Sequence, residues 1–437
     1  MIEKFQNIFK IPELKKRLLF TFGLLAVYRI GAHIPVPGID GQALAEFFAK
    51  MQGGMLGFFD MFSGGALRKL TIFALGIMPY ISASIILQLL TVVIPALEKL
   101  SKEGEAGRKK ITQYTRYGTV VLSMIQGLGI SYGLEQMRSP VGNAPLIPDP
   151  GWGFRIISML TLTAGTAFIM WLGEQITEKG IGNGISLIIF SGIVVRMPDA
   201  IVTSIQAVQR GDINLIFMVI VVILVVAITG AIIFMERGQR RIPVQYAKRV
   251  VGRRVYGGQN THIPLKVNTA GVIPVIFSSS ILMFPATIAG FYKNSFTMWI
   301  TEKLSPGSLV YESMYVLGII FFCYFYTAII FNPTDLSENM KKYGGFIPGI
   351  RPGKKTSEYI DKVLMRITFG GALYLSAVSV MPDFLIRYGR VPFYFGGTAL
   401  LIVVGVALDT VSQIESHLLT RHYEGFLKKG RLKGRRG

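Results

Sequence analysis

Cysteine occurs once in 437 residues and histidine four times, and only 25 acidic residues stand against 46 Lys and Arg. The lone Cys323 excludes an intrachain disulfide and gives no argument for an oxidising compartment. His33, His262, His417 and His422 offer no metal-ligand spacing with it, although His417 and His422 share a helical neighbourhood five apart. Nucleotide motifs are missing too. GIRPGKKTS (349–357) resembles a phosphate loop, but neither its glycine spacing nor its Lys-Ser/Thr step fits. GIGNG (180–184) has the glycines of a phosphate cradle, yet it opens an apolar run with no strand before it. No metal, cofactor or catalytic residue is expected, and any energy input must come from a partner or a gradient. Ionisable groups deep inside the apolar runs are also scarce: Arg29, with Arg116, Arg155, Arg196, Asp199, Asp383 and Asp409 toward run ends and Glu312 just outside one. That scarcity weighs against a proton- or ion-coupled carrier.

What the sequence has is apolar length. It is 51% hydrophobic and 16% charged, with a mean hydropathy of +0.48, outside ordinary globular composition. A hydrocarbon core about 30 Å thick needs roughly 20 apolar residues per helical crossing. Ten such stretches are expected, at 18–37, 71–94, 114–134, 154–173, 183–204, 213–235, 269–292, 313–332, 367–386 and 393–413. A transmembrane barrel would instead show short alternating segments. The first run leads into PVPG rather than a small-residue cleavage site, so it reads as a retained helix.

Charge sets the orientation. Of the 46 Lys and Arg, 34 lie at the two termini and in or at the edge of the even-numbered loops, and 11 lie in or toward the other loops. The positive-inside rule then makes both termini cytoplasmic, which agrees with an even number of spans. Many of these cations need do no more than fix topology and meet anionic lipid. The loops at 236–268 and 333–366 exceed that need, because each mixes Arg with Tyr, Gly and Pro. Such a mixture suits a phosphate backbone as well as an acidic protein surface.

Five spans per half force the second half to start from the opposite side, so the halves, 1–204 and 205–437, are expected to be inverted. In inverted repeats the working pathway lies between halves and is marked by Gly/Pro-interrupted helices in matching positions. Spans 2 and 7, each second in its half, carry Gly76, Pro79, Ser82, Ser84 and Gln88, and Pro274, Ser278, Ser279, Ser280 and Pro285. Between spans 1 and 2 lies GGMLGFFDMFSGGAL (53–67), greasy, glycine-broken and too short to cross a bilayer. By itself it reads as an interfacial re-entrant turn.

Several long motifs resemble the bacterial SecY family, the central subunit of the Sec protein-conducting channel. They include FDMFSGGALRKLTIFALGIMPYISASII, EGEAGRKKITQYTRYGT, WLGEQITEKGIGNGIS, ERGQRRIPVQYAKR, IPLKVN, NTAGVIPVIFSSSI, FNPTDLSENMKKYGGFIPGIRPGKKT and VPFYFGGTALLIVV. The resemblance runs from the first span to the basic tail at 421–437. It implies an all-α membrane protein of ten helices in two inverted five-helix halves around a pore. It also implies a re-entrant plug half-helix at about 53–68, with Phe58, Phe59, Met61 and Phe62 buried against the channel wall. A pore ring would fall at Ile77, Ile81, Ile185, Ile189, Ile276 and Ile402, and a lateral gate at Ser82, Gln88, Asn268 and Phe284. Docking of the SecA ATPase or a ribosome would fall to Arg240, Arg241, Lys248, Arg249, Arg253, Arg254 and Arg351. SecE and SecG subunits, signal peptides, preproteins and membrane lipids are the other implied partners, in a bacterial cytoplasmic membrane. An inverted-repeat secondary transporter is the competing reading.

Overall fold

The computed structural model describes residues 11–39, 41, 44, 60, 63–135, 147–211, 213–246, 249–251, 254–256, 261–291, 299, 303–304, 308–389 and 397–429; for 249–256, 283–291, 382–389, 397 and 419–429 it describes only the backbone. They fall into two compact units. One comprises the chain up to Ile201, Thr287–Met298 and the chain from Val406; the other comprises Val202–Ala286 and Trp299–Gly405.

In the first unit, α1 (Pro12–Gly31) leads through turns to α2 (Met78–Val93), α3 (Pro95–Lys102), α4 (Glu105–Glu135), α5 (Trp152–Lys179), α6 (Gly184–Val194) and α7 (Met197–Gln209), whose last turns enter the second unit. The second expected span is shorter than its apolar run. Residues 72–77 form successive turns after Thr71 pairs with Pro35, and Gly76 adopts a left-handed φ of 57°. Helix starts only at Met78, with Pro79 in the first turn, where its missing N–H costs nothing. Ile94 is extended, as a residue before proline prefers, and the axis turns by 101° into α3. Helices α4 and α5 pack along a row of small residues at a spacing of four: Thr115, Thr119, Ser123, Gly127 and Ser131, all buried. The hydroxyls of Thr115, Thr119 and Ser131 donate to carbonyls four residues back, which keeps polar atoms satisfied where backbones approach closely.

The second unit holds α8 (Leu215–Arg237), α9 (Ile273–Phe291), α10 (Leu309–Ile330), α11 (Pro333–Lys342), α12 (Lys354–Gly389) and the start of α13 (Gly397–Lys429); the ends of α9 and α13 belong to the first unit. It also departs from a purely helical expectation. The loop after α8 forms an antiparallel pair, β1 (Gln239–Tyr246) with β4 (Thr261–Lys266), and a two-stranded ribbon, β2 (Arg249–Val251) with β3 (Arg254–Tyr256). A two-residue strand from the other long loop, β5 (Gly345–Phe346), pairs with the far end of β1. Pro264 lies in an edge strand and Pro243 lies where β5 does not reach, so neither removes a needed ladder donor.

Among the described residues, six helical segments are long and apolar enough to cross a membrane, or seven if the bent pair Met78–Val93 and Pro95–Lys102 is one span. They correspond to the expected spans 2, 4, 5, 6, 8, 9 and 10. The expected spans 1, 3 and 7 coincide with the less apolar or shorter helices α1, α4 and α9.

Candidate functional site

Of the six isoleucines expected to form a ring, four lie in the first unit. Ile77 caps α2, and Ile81 follows one turn later; both are buried. Ile189 is buried in α6, whereas Ile185 is half-buried at the start of that helix and faces Gly173 of α5. A Cβ placed on Gly173 would lie 3.1 Å from the Ile185 side chain, so Ile185 packs on its neighbour helix. In the second unit Ile276 and Ile402 are buried in α9 and α13. The Ile276 carbonyl accepts the Ser279 and Ser280 hydroxyls at 2.9 and 2.8 Å. These hydroxyls thereby stay satisfied in an apolar helix, and the Ser278 hydroxyl does the same by donating to the Tyr315 carbonyl at 3.0 Å.

Of the gate candidates, Ser82 and Gln88 are half-buried on α2, and the Gln88 amide reaches Ser84 Oγ at 3.5 Å. Asn268 is buried and committed: its amide donates to Glu236 Oε1 at 2.6 Å and to the Gly271 carbonyl at 3.1 Å, tying the end of α8 to the entry of α9. Phe284 is on α9, but its side chain lies outside the described residues, as do the whole of Phe58, Phe59, Met61 and Phe62.

The two long loops, 236–268 and 333–366, come together. Ile242 and Val244 of β1, Leu265 of β4, Met340 of α11, Ile347, and Ile360 and Leu364 of α12 form one buried cluster. Strand alternation turns Arg241 and Pro243 outward from that cluster, with Arg240 exposed as well. Arg351 is exposed in the turn between β5 and α12, where Gly349 and Gly353 hold φ of 80° and 101° and the Thr356 hydroxyl donates to the Arg351 carbonyl at 2.9 Å. Arg249 and Arg254 are placed by backbone on β2 and β3, while Lys248 and Arg253 lie outside the described residues.

The GIGNG turn has no free cradle. The N–H of Ile181 donates to Thr21 Oγ1, that of Gly182 to Gln413 Oε1, and that of Gly184 to Thr177 Oγ1. Asn183 Oδ1 caps α6 by accepting from Ile185 and Ser186. These amides join α1, α5 and the C-terminal helix rather than a phosphate. No group of three or more His, Cys, Asp or Glu suited to a metal occurs among the described residues. His417 is exposed on α13, and the His422 side chain lies outside the described residues.

Two arrangements escape sequence reasoning. Arg155 forms a two-pronged pair with Glu135 Oε2 (2.9 and 2.5 Å) and stacks over Tyr132 and Trp152, locking the end of α4 to the start of α5. Asp60 is fully buried between Arg68 and Arg196. Arg155 and Glu135, and above all Arg196 and Asp60, come from separate parts of the chain; the only signal is a charge standing in an otherwise apolar run.

The SecY family profile matches residues 71–411. Protein translocase subunit SecY of Escherichia coli (strain K12) is 54% identical over 429 residues, covering 97% of this chain and 96% of the relative. The subunit of the same name from Aquifex aeolicus is 46% identical over 430 residues, covering 98% and 100%. Among solved structures, a protein-conducting channel matches 98% of both chains with a TM-score of 0.61 at 17% identity. The idle yeast Ssh1 complex bound to the 80S ribosome matches 94% of this chain and 89% of its own, with a TM-score of 0.61 at 16% identity. At such low identity these structures speak for the fold, and the sequence relatives speak for the lineage. From its span pattern, its motifs and a match over nearly its whole length, this chain belongs to the SecY family.

Proposed function

We propose that this chain is the pore subunit of a protein-conducting channel, passing unfolded polypeptide across the membrane and apolar segments sideways into lipid. The observation that carries this is the end-to-end identity with protein translocase subunits SecY. The path is formed by ten spans in two inverted halves, 1–204 and 205–437, with both termini in the cytoplasm of a bacterial cell and the membrane being the inner one. Its collar is Ile77, Ile81, Ile185, Ile189, Ile276 and Ile402, an apolar constriction that stops ions by dewetting yet yields to a chain. Residues 53–68 plug it, and spans 2 and 7 with Ser82, Gln88, Asn268 and Phe284 flank the sideways exit. Sorting there is physical: each apolar residue gains a few tenths of a kcal/mol at the helix centre, whereas a charge costs roughly 2.5 to 3.5.

The paired cytoplasmic loops make one platform for a ribosome or the SecA ATPase, with SecE and SecG as membrane partners. The channel is no enzyme; the driving partner supplies the energy. The inverted-repeat transporter has no comparable support. Reconstitution decides between them. Proteoliposomes holding this chain with its SecE and SecG, supplied with SecA, ATP and a preprotein, should render the preprotein protease-resistant. Failure to do so, with gradient-driven uptake of a small solute instead, would overturn the reading.

A further inference from the structure

Asp60 is an unexpected residue for its place. It is the one charge in FFDMF, it is fully buried, and beyond it Gly64 and Gly65 hold left-handed φ of 65° and 85°. Its Oδ1 accepts the Arg68 N–H at 3.2 Å, while its Oδ2 lies 2.7 Å from Arg68 Nε and 3.1 Å from Arg196 Nη1, the latter in the break between α6 and α7. Both guanidinium groups approach Oδ2 at ion-pair distance without a well-aligned hydrogen bond, so the tie is mainly Coulombic. Its carbonyl accepts from the Gly65 N–H at 2.9 Å and the Ser63 hydroxyl at 3.1 Å. Tyr28 and Arg29 of α1 donate to the Ser63 and Gly64 carbonyls at 3.3 and 3.1 Å. Gly64, at φ 65°, sits so close to α6 that a Cβ there would come within 2.7 Å of the Gly192 Cα. All of these contacts lie in the first unit.

We propose that Asp60 is a positioning residue of the resting channel: a carboxylate latch to Arg68 and Arg196 that fixes Asp60 together with the Ser63–Gly65 turn it holds and is released when the channel opens. The inference rests on the channel reading. Two features favour a latch over simple glue. A buried ion pair contributes little more than apolar packing of the same volume, but losing one partner is felt strongly, which suits a tie with two discrete states. The solvent exposure is also one-sided. The Arg68 and Arg196 side chains are 38% and 26% exposed against 1% for Asp60, so the arginines already reach water and only the carboxylate must gain it on release.

The test uses the channel with its SecE and SecG in planar bilayers, comparing Asp60→Asn, Arg196→Gln, their double variant and Asp60→Glu. Either neutral variant should raise resting open probability about tenfold, equivalent to about 1.4 kcal/mol, with unitary conductance unchanged. The double variant should add little to the singles, and the glutamate should stay near wild type. The same variants should export a preprotein whose signal segment carries a charge in its apolar core. Wild-type leak in both single variants at equal amounts of assembled protein overturns the latch, as does strict additivity in the double. So does loss of assembled protein in both, since glue fails that way. If wild-type channels move no preprotein in the same system, the channel reading itself fails; if they do and the variants stay tight, only the latch falls.

Discussion

An isoleucine in a membrane helix is ordinarily packing, so the collar has to be tested by what its removal does to ions rather than to stability. Ile81 and Ile402 are both buried; on the proposed collar reading, changing both to Gly should raise ion leak across planar bilayers several-fold, while conductance unchanged from wild type would deny them a sealing role. Asn268 makes the opposite case. Its amide is spent on Glu236 and Gly271, so Asn268→Ala takes a donor away from a half-buried carboxylate and should cost about 1–3 kcal/mol, read as a lower thermal midpoint of the detergent-purified complex. Beside it, a Cβ on Gly371 would fall 2.7 Å from the Val267 carbonyl oxygen, and Gly371→Ala should cost about 1–3 kcal/mol by overpacking in the same assay. At this scale the sequence was legible where small residues repeat at helical spacing, as in Thr115, Thr119, Ser123, Gly127 and Ser131, whereas Ile77, read as one turn of helix before Ile81, is the cap that precedes the helix. The sequence was opaque where a partner comes from elsewhere in the chain: nothing near Asp60 announces Arg196, and nothing near Asn268 announces Glu236.

Elements were legible in proportion to their apolar length. The long runs behind α5, α8 and α10 leave no alternative to helix, whereas the run at 71–94 hid a start delayed to Met78 by Gly76 and a stop imposed by Pro95. The strands were the real omission. QRRIPVQY alternates, with Ile242 and Val244 facing in, but its arginines draw attention as charges and its proline argues against a strand. Only the structure supplies the long-range partner, β5, that joins the two loops. That pairing makes the platform cooperative. Val244→Asp places an unpaired charge in the cluster of Ile242, Leu265, Ile347 and Ile360, a burial that costs several kcal/mol. It should make both loops protease-sensitive together while the membrane-embedded part stays folded. Cleavage confined to the loop after α8 would mean that the two loops are independent.

For the whole molecule the governing quantity is the net charge of +21, most of it in the loops and termini of one expected face. A patch that only fixes topology should be indifferent to which loop loses charge, whereas a docking platform should not. Arg240 and Arg241 project from a strand held in a packed sheet, and Arg351 projects from a turn shaped by Gly349 and Gly353. Strand cations meeting ribosomal RNA act through counterion release, so Arg240→Glu with Arg241→Glu should weaken ribosome binding at low salt. It should also flatten the plot of log affinity against log salt by about 1.4, taking about 0.7 for each single-stranded phosphate that is no longer neutralised. Arg351 differs in kind, because a guanidinium fork fixed in a turn makes two-pronged contacts that lysine cannot reproduce. Arg351→Lys keeps the charge, and so should keep both ribosome affinity and its salt slope, yet lower SecA-driven export by an order of magnitude or so. Measuring both activities for both variants across a salt series separates the roles: equal small losses with unchanged slopes would reduce these cations to topology and lipid contact, and a parallel collapse of both activities would make the platform a single undivided site.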